Sequence, residues 1–348
     1  ELMAIPDWLI SKGTLILIVY FIFLGVLLPR FAYLKYKSNN LKNRFNVSYK
    51  SVDLFYKLMT EKEDKKINDS FIKHESFLRW LILFISNTDD LKNHKYKRNI
   101  NNKPVIEEKY GYPIKEEGLS YYILMDHLFR CELAHPTDLD YVQRTSLSLI
   151  QSFKEIARRK CNILLLNRLF VLERMVVQAV FDEEYSDLQV GAEFEEIFAR
   201  KFKKEGKIKK GFVKPEINIS NIKAYVEQTN LLDSHSVYKD NSFVLPENSK
   251  VTLSFNVELI GPTMVHAPFL KEDIFTTWSI FLLINDSLTE EYIEVKEKDK
   301  SVKFTFNGTN KPMNLKIACK NGGYFDIDKE ESINVKFIKL IENTPKDE

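Results

Sequence analysis

Six histidines and three cysteines are the side chains here that most often perform catalysis or hold metals. The histidines are scattered and form no HxxxH pair; His127 adjoins the carboxylate of Asp126, and His74 adjoins that of Glu75. The HExxH and GxSxG motifs and both glycine-rich phosphate loops are missing from the sequence. The sequence therefore predicts a protein that is not an enzyme and that holds no metal or cofactor.

Charge and cysteine content narrow the class of protein further. The 348 residues include 51 basic and 49 acidic side chains, a net charge of +2 that argues against a nucleic-acid partner. Cys131, Cys161 and Cys319 form no CxxC pair, which is typical of reduced thiols in the cytosol. A basic run at 203–214 has three interpretations: a soluble linker, a contact with anionic lipid headgroups, or a contact with ribosomal RNA.

The longest apolar stretch begins near the first residue and predicts a membrane span. From Trp8 to Leu28 the only charge is Lys12. A helix of this length matches the hydrocarbon core of a bilayer, about 30 Å thick, and exceeds the apolar core of a cleaved signal peptide. Basic residues come next without an acid up to residue 50, so the positive-inside rule places the N-terminus in a lumen and the rest in the cytosol. They are Arg30, Lys35, Lys37, Lys42, Arg44 and Lys50.

A second apolar segment, residues 161–181, is predicted to be a buried helix of a soluble bundle. It carries Arg168, Glu173 and Arg174 near its middle. Each of these charges costs about 2.5–3.5 kcal/mol at the centre of a membrane helix. The helical bundle is therefore the better interpretation of this segment.

Helical periodicity dominates as far as about residue 205. Apolar residues recur at helical spacing in 46–59, 70–86, 118–133, from 138 onward and in 163–181, which predicts about five helices in one bundle. Pro136 breaks the pattern, and Asp138 is expected to cap the next helix. A short charged helix is expected at 192–204.

From about residue 216 the apolar residues alternate with polar ones, as in strands with one buried face. About seven short strands are expected, separated by turn signals at Gly261-Pro262, Asn307-Gly308 and 321–323. This pattern is typical of a β-sandwich of the fibronectin type III or immunoglobulin type. The clearest strand segments are 217–226, 251–259, 278–284, 302–306, 313–317 and 333–337.

The predicted fold class is therefore membrane-anchored α + β. The expected parts are a luminal segment at 1–8, a transmembrane helix at 9–34, a cytosolic helical bundle at 45–205, a basic connector at 206–215, a fibronectin-like β-sandwich at 216–342 and a tail at 343–348.

Several short motifs occur in an informative order along the chain. The apolar stretch ends in Leu-Leu-Pro within 5–31, a helical segment comes next at 46–59, and Gln178-Ala179-Val180 ends the buried helix. Ala-Pro-Phe at 267–269 precedes Trp278, and the segment 319–328 contains Tyr324 and Asp328. In this order the motifs resemble the C-terminal half of the Sec sixty-three family, over nearly the whole chain. Two details depart from that family: Thr277-Trp278 replaces a double Trp, and Asn321-Gly322 replaces Ser-Asp.

The resemblance implies a non-enzymatic subunit of the endoplasmic-reticulum protein translocon. Such a subunit binds the protein-conducting channel, helps to open it for post-translational import, and recruits luminal Hsp70 through a J domain that is not in this chain. The implied partners are the alpha, beta and gamma subunits of the Sec sixty-one channel, the Sec sixty-two subunit, luminal Hsp70, the translocating polypeptide and the lipid bilayer. The implied location is the endoplasmic-reticulum membrane, with the bulk of the chain in the cytosol.

Two surfaces are candidates for binding the channel. Leu17, Phe21, Leu24 and Leu28 are spaced for one face of the span. The loop from Met264 to Phe269, with Val265 and His266, is expected to expose apolar side chains toward cytosolic loops of the channel, or else to cover the sandwich edge. The alternative function is a membrane-tethered adaptor that binds a soluble cytosolic partner through its sandwich.

Overall fold

The computed structural model describes residues 12–40, 42–60, 68–97, 118–131, 134–191, 213–226 and 242–339. The helices are α1 (Lys12–Ile22), α2 (Leu28–Asn40), α3 (Tyr49–Thr60), α4 (Asp69–Lys73), α5 (Ser76–Ser86), α6 (Asp89–Lys92), α7 (Leu119–Leu128), α8 (Pro136–Arg159) and α9 (Ile163–Gln178). A π turn over Phe23–Leu27 joins α1 to α2, and a 3-10 helix covers Glu183–Gly191. The strands are β1 (Glu216–Val226), β2 (Ser242–Pro246), β3 (Lys250–Ile260), β4 (Trp278–Ile284), β5 (Ser287–Val295), β6 (Asp299–Asn307), β7 (Met313–Asn321) and β8 (Lys329–Ile338).

Several predicted parts lie outside the described residues. These are the luminal segment at 1–8, the tail at 343–348, the charged helix at 192–204 and most of the basic connector at 206–215.

Each of the five helical segments predicted after the span contains a helix, but two boundaries differ from the prediction. The segment 70–86 is two helices, because His74 is extended (φ −74°, ψ 144°) and its Nδ1 bonds the Ser76 hydroxyl at 2.8 Å. Helix α8 is capped by His135 and not by Asp138. His135 Nδ1 accepts the N–H of Thr137 (3.3 Å), while the Asp138 carboxylate accepts the N–H of Lys97 (2.8 Å).

Helix α9 is buried in the helical body, which consists of α3–α9, as its internal charges predict. The Asn162 side chain accepts the Leu165 N–H at 2.9 Å and starts the helix, and Ala179 in a left-handed conformation (φ 50°) ends it. Arg168 donates to the backbone oxygens of Ile72 (3.0 Å) and Lys73 (2.6 Å), so its charge ties the end of α4 to α9.

The strands form two sheets. One has three strands in the order β1-β3-β6, and the other has five in the order β2-β8-β7-β4-β5. All pairs are antiparallel except β2 with β8. Strands β2 and β5 were not predicted, because β2 is five residues ending in Pro246 and β5 is largely polar and exposed.

Strand β4 explains how the layers stack, because both of its faces are buried. Trp278, Ile280 and Leu282 join a core shared by the two sheets. Phe281 and Leu283 point the other way and join the core of the helical body. The five-stranded sheet is therefore the middle layer, with the three-stranded sheet on one face and the helices on the other.

Candidate functional site at the junction of helices and sheets

The predicted channel-facing residues of the apolar helix are exposed. Leu17, Phe21, Leu24 and Leu28 are between 41 and 68 % exposed, and Leu17–Leu34 has a mean hydropathy of 2.1 with no buried residue. Its length and composition suit a membrane span, although a signal sequence near an N-terminus meets the same test.

The π turn changes the predicted stripe of side chains. Leu28 N–H bonds the Phe23 carbonyl five residues earlier, which adds one residue to that turn. One added residue rotates the later part of the helix by about 100°. Leu17 and Phe21 therefore share a face, whereas Leu28 is turned away from it.

The loop from Met264 to Phe269 packs on the helical body, so the expectation that it exposes its apolar side chains is wrong for Val265. Val265 is 8 % exposed and packs in a small cluster with Val177 and Tyr324. Its N–H donates to the Ile274 carbonyl (2.8 Å), and Met264 bridges to the opposite side of the loop. The burial arises because α9 approaches this loop, a contact that the local sequence pattern does not contain.

Two hydrogen bonds to neighbouring elements hold the rest of the loop from Met264 to Phe269. The His266 N–H donates to the Tyr324 hydroxyl (2.6 Å), and Gln143 Nε2 donates to the Phe269 carbonyl (2.9 Å). The Arg130 guanidinium lies 4.1 Å from the centre of the half-buried Phe269 ring. Met264, His266 and Phe269 keep partial exposure, and their contact with a channel stays a prediction.

Arg174 of α9 forms the centre of a polar clamp between the helices and the sheets. It is buried, donates from Nε to the Asn321 carbonyl (2.7 Å), and pairs through Nη2 with Asp328. Asp328 also pairs with Lys320 (3.3 Å). A buried guanidinium with this many partners fixes the angle at which α9 meets the end of β7.

Glu173, the neighbour of Arg174, extends the clamp on the adjoining face. Its carboxylate pairs with Lys154 (2.7 Å) and accepts a hydrogen bond from Gln151. A Cβ added at Gly322 would overlap a carboxylate oxygen of Glu173, so a larger residue there would displace this carboxylate from its present position.

The end of α9 supplies a third set of bonds across the junction. Gln178 Nε2 donates to the carbonyls of Gly323 (2.7 Å) and His266 (3.2 Å). Arg130 donates to the Ala179 carbonyl (2.9 Å) and the Gln178 carbonyl (3.0 Å), which covers the open end of the helix. The motif Gln178-Ala179-Val180 is therefore a junction element in this fold.

Apolar and aromatic contacts complete the junction. Phe170 of α9 meets Phe281 of β4 edge to face at 6.1 Å, and the Arg158 guanidinium lies 3.6 Å from the Tyr292 ring centre. The helical body and the five-stranded sheet therefore share one continuous core, and we expect them to move as one unit.

An open groove lies beside these contacts. The junction groove has a volume of about 360 Å³ and is lined by residues of α8, α9 and the loop after β7. Within the described ranges, His, Cys, Asp and Glu form no group of three that is arranged for a metal ion. The arrangement can hold the helical body and the sheets rigidly against each other.

The sequence pattern does not identify the clamp residues as functional candidates. It marks Glu173 and Arg174 only as charges unsuited to a membrane. A buried apolar helix with charges at its middle does signal polar partners, and here the partners of Arg174 lie about 150 residues further along the chain.

His127 makes the stability of this junction depend on pH. Burial lowers the pKa of His127 to about 4. A hydrogen bond to the Val176 carbonyl (2.6 Å) raises the pKa in part, and the nearby charge of Arg130 lowers it further. His127 takes up a proton near pH 6.5 in the unfolded chain and only near pH 4 in the folded chain. The contribution of neutral His127 to stability is therefore fully present above pH 6.5 and is lost as the pH falls from 6.5 to 4. We expect the free energy of unfolding to fall by up to about 1.4 kcal/mol per pH unit across that window.

Urea unfolding of the chain in detergent at several pH values measures this effect. The variant His127→Gln is expected to be less stable at pH 7 but to show a flatter pH dependence between 6.5 and 4. Equal slopes for both proteins would contradict the assignment to His127.

Comparison with known protein families and with curated proteins gives no match to this chain.

Proposed function

We propose that this chain is a membrane-anchored, non-enzymatic subunit of the protein translocon, of the Sec sixty-three type. One observation carries the proposal: an exposed apolar helix with the length of a span leads into a helical body and a two-sheet domain that share one core. The residues behind the resemblance support it, since Gln178, Val180, Trp278, Tyr324 and Asp328 all lie in the junction or in the cores beside it.

We also propose that the two sheets form a fibronectin type III or immunoglobulin-like sandwich. The first, third and sixth strands make one sheet, and the fourth, seventh and eighth lie together in the other, which is a Greek-key partition. The fully buried Trp278 starts β4, the strand that corresponds to the Trp-bearing strand of such sandwiches.

The rigid junction suggests how such a subunit acts. The helix contacts the channel within the bilayer, and the sheet domain contacts it from the cytosol. Linking two weak contacts on one body raises the effective concentration of the second. A body that fits the open channel better than the closed one shifts the channel toward opening.

Co-purification in mild detergent tests the proposal. The chain is expected to bring down the channel subunits, and Phe21→Ala with Leu24→Ala is expected to weaken this association because packing is lost at the predicted face. The matched control is Val19→Ala with Phe23→Ala, which removes similar area from another face of the same helix. Recovery of a soluble cytosolic partner without channel subunits would instead favour the adaptor function.

Glycosylation tests the proposed orientation. Sequons begin at Asn46, Asn68, Asn218, Asn285 and Asn307, and all five asparagines are exposed. Burial therefore does not protect them, and we expect no glycan in cells because the cytosol lacks the transferase. A glycosidase-sensitive mass shift at any of the five would overturn the orientation, and a sequon added before Trp8 provides the positive control.

A further inference from the structure

A groove of about 790 Å³ lies between α3 and α8, and none of the contacts above uses it. Val52 and Tyr56 of α3 and Ile156 of α8 contribute apolar surface to it. Its other walls are largely charged, and half-exposed Tyr49 lies at one end. The charged lining residues are Arg44, Lys50, Asp53, Glu155 and Arg159.

The groove is close to the end of the apolar helix, because the chain is fastened to α8 directly afterwards. Asn40 is the last residue of α2, and Asn43 Nδ2 already donates to Ser152 Oγ of α8 (2.9 Å). Arg44 pairs with Glu155, one turn further along α8 (3.2 Å). Three residues span at most about 11 Å, so this face of α8 begins within about that distance plus one hydrogen bond of the end of α2, which lies six residues beyond the predicted span at 9–34.

The turn at 43–47 is held firmly against the helical body. The Asn43 side-chain oxygen accepts the N–H groups of Phe45 (3.0 Å) and Val47 (3.1 Å), closing a tight turn. Val47 is fully buried in the helical core. The groove therefore begins where the chain enters the helical body, at the part that follows the proposed anchor most directly along the sequence.

The charge of this face is positive. Glu155 accepts from both Arg44 (3.2 Å) and Arg159 (2.6 Å), so one carboxylate serves two guanidinium groups. Lys50 reaches Asp89 only at 3.9 Å and is highly exposed. Among the residues that line the groove, the basic side chains outnumber the acidic ones: Arg44, Lys50 and Arg159 against Asp53 and Glu155.

The exposed aromatic residues suit the same environment. Tyr49 and Tyr56 are two turns apart on one side of α3, and Lys160 Nζ lies 4.4 Å from the Tyr56 ring centre. Tyrosine is enriched at the level of lipid headgroups, where its ring is partly apolar and its hydroxyl is hydrated. Basic residues beside such rings favour anionic lipids.

We propose that the groove between α3 and α8 binds the headgroups of anionic phospholipids in the cytosolic leaflet. The inference rests on the proposed membrane anchor and adds a second attachment to it. One helix alone leaves the body free to swing about the helix end, whereas a lipid-bound groove restricts that motion and holds the sheet domain in one orientation.

Hydrogen exchange of the full chain in lipid nanodiscs tests this inference. The amides of α3 are expected to exchange more slowly in discs of phosphatidylcholine with phosphatidylserine than in discs of phosphatidylcholine alone. Each Lys or Arg near an anionic surface strengthens binding about fivefold, so Lys50→Gln with Arg159→Gln is expected to weaken docking about 30-fold and abolish the difference. Lys298→Gln with Lys303→Gln, two exposed residues of the sheet domain, is the control and should preserve it.

The outcomes separate this inference from the proposed anchor. A chain that does not co-elute with discs of either composition lacks the anchor, and the proposed function fails with it. A chain that inserts in both discs but shows the same α3 exchange in each overturns the lipid site alone. Protection that appears without phosphatidylserine also overturns it, because a neutral surface or a protein occupant would then suffice.

Discussion

Replacing Arg174 by methionine is expected to lower the free energy of unfolding by about 3 kcal/mol. Removing one partner of a buried ion pair typically costs about 3–5 kcal/mol, because the other charge stays buried without compensation. The expected value is at the low end because Asp328 keeps Lys320 at 3.3 Å and the Asn321 N–H at 3.2 Å. Methionine preserves much of the side-chain volume, so the loss reports the polar contacts and not a cavity.

The measurement is urea unfolding in detergent, combined with hydrogen exchange at the end of β7. The control is Lys57→Met, which breaks the exposed pair with Asp53 (2.9 Å) and is expected to change stability by less than about 1 kcal/mol. Exchange at Asn321 to Asp328 should rise in the Arg174 variant more than exchange within the strands. A stability change no larger than that of the control would show that the clamp does not hold the two parts together.

The type and order of the elements were accessible from sequence because the apolar period is a local property. The segment 251–259 alternates and 278–284 is apolar except for Ser279, and strands β3 and β4 lie there. Strand β5 was missed because its sequence SLTEEYIEV has few apolar residues and pairs on one side only. Its position depends on β4, a partner that the local pattern cannot identify.

The junction was less accessible because its contacts join distant parts of the chain. Arg174 and Asn321 are 147 residues apart, and the local sequence around each residue does not identify the other as its partner. The burial of Val265 could not be predicted for the same reason. An apolar residue in a loop is expected to be exposed, and its burial here depends on the packing of α9 against the loop. The local pattern marks Gly322 as a turn signal, whereas its close approach to the Glu173 carboxylate is visible only in the structure.

Two arginines in the middle of the apolar helix are expected to abolish membrane insertion. Residues 15–28 contain twelve Leu, Ile, Val or Phe residues, which favour insertion by about 4–7 kcal/mol in total on insertion scales. A single arginine adds about 2.5–3.5 kcal/mol and leaves insertion favourable or balanced. Phe21→Arg with Leu24→Arg adds about 5–7 kcal/mol and also removes two apolar residues, so the balance becomes unfavourable.

Resistance to alkaline extraction measures insertion, and the position of the arginines provides the control. Phe31→Arg with Leu34→Arg makes the same change in charge near the proposed cytosolic end, beside Arg30 and Lys35. There the long side chains reach the headgroup region, so insertion should persist. A double variant at Phe21 and Leu24 that still resists extraction would show that this helix is not the anchor.

The mass of the extracted chain adds an independent criterion. An anchor stays covalently attached, whereas a signal sequence of the same length and composition is removed after insertion. Recovery of membrane-bound chains that retain the apolar helix would therefore separate the two interpretations. The helix must be retained for the rest of the proposal, because only an anchored helix fixes the α3–α8 groove and the sheet domain beside one membrane surface.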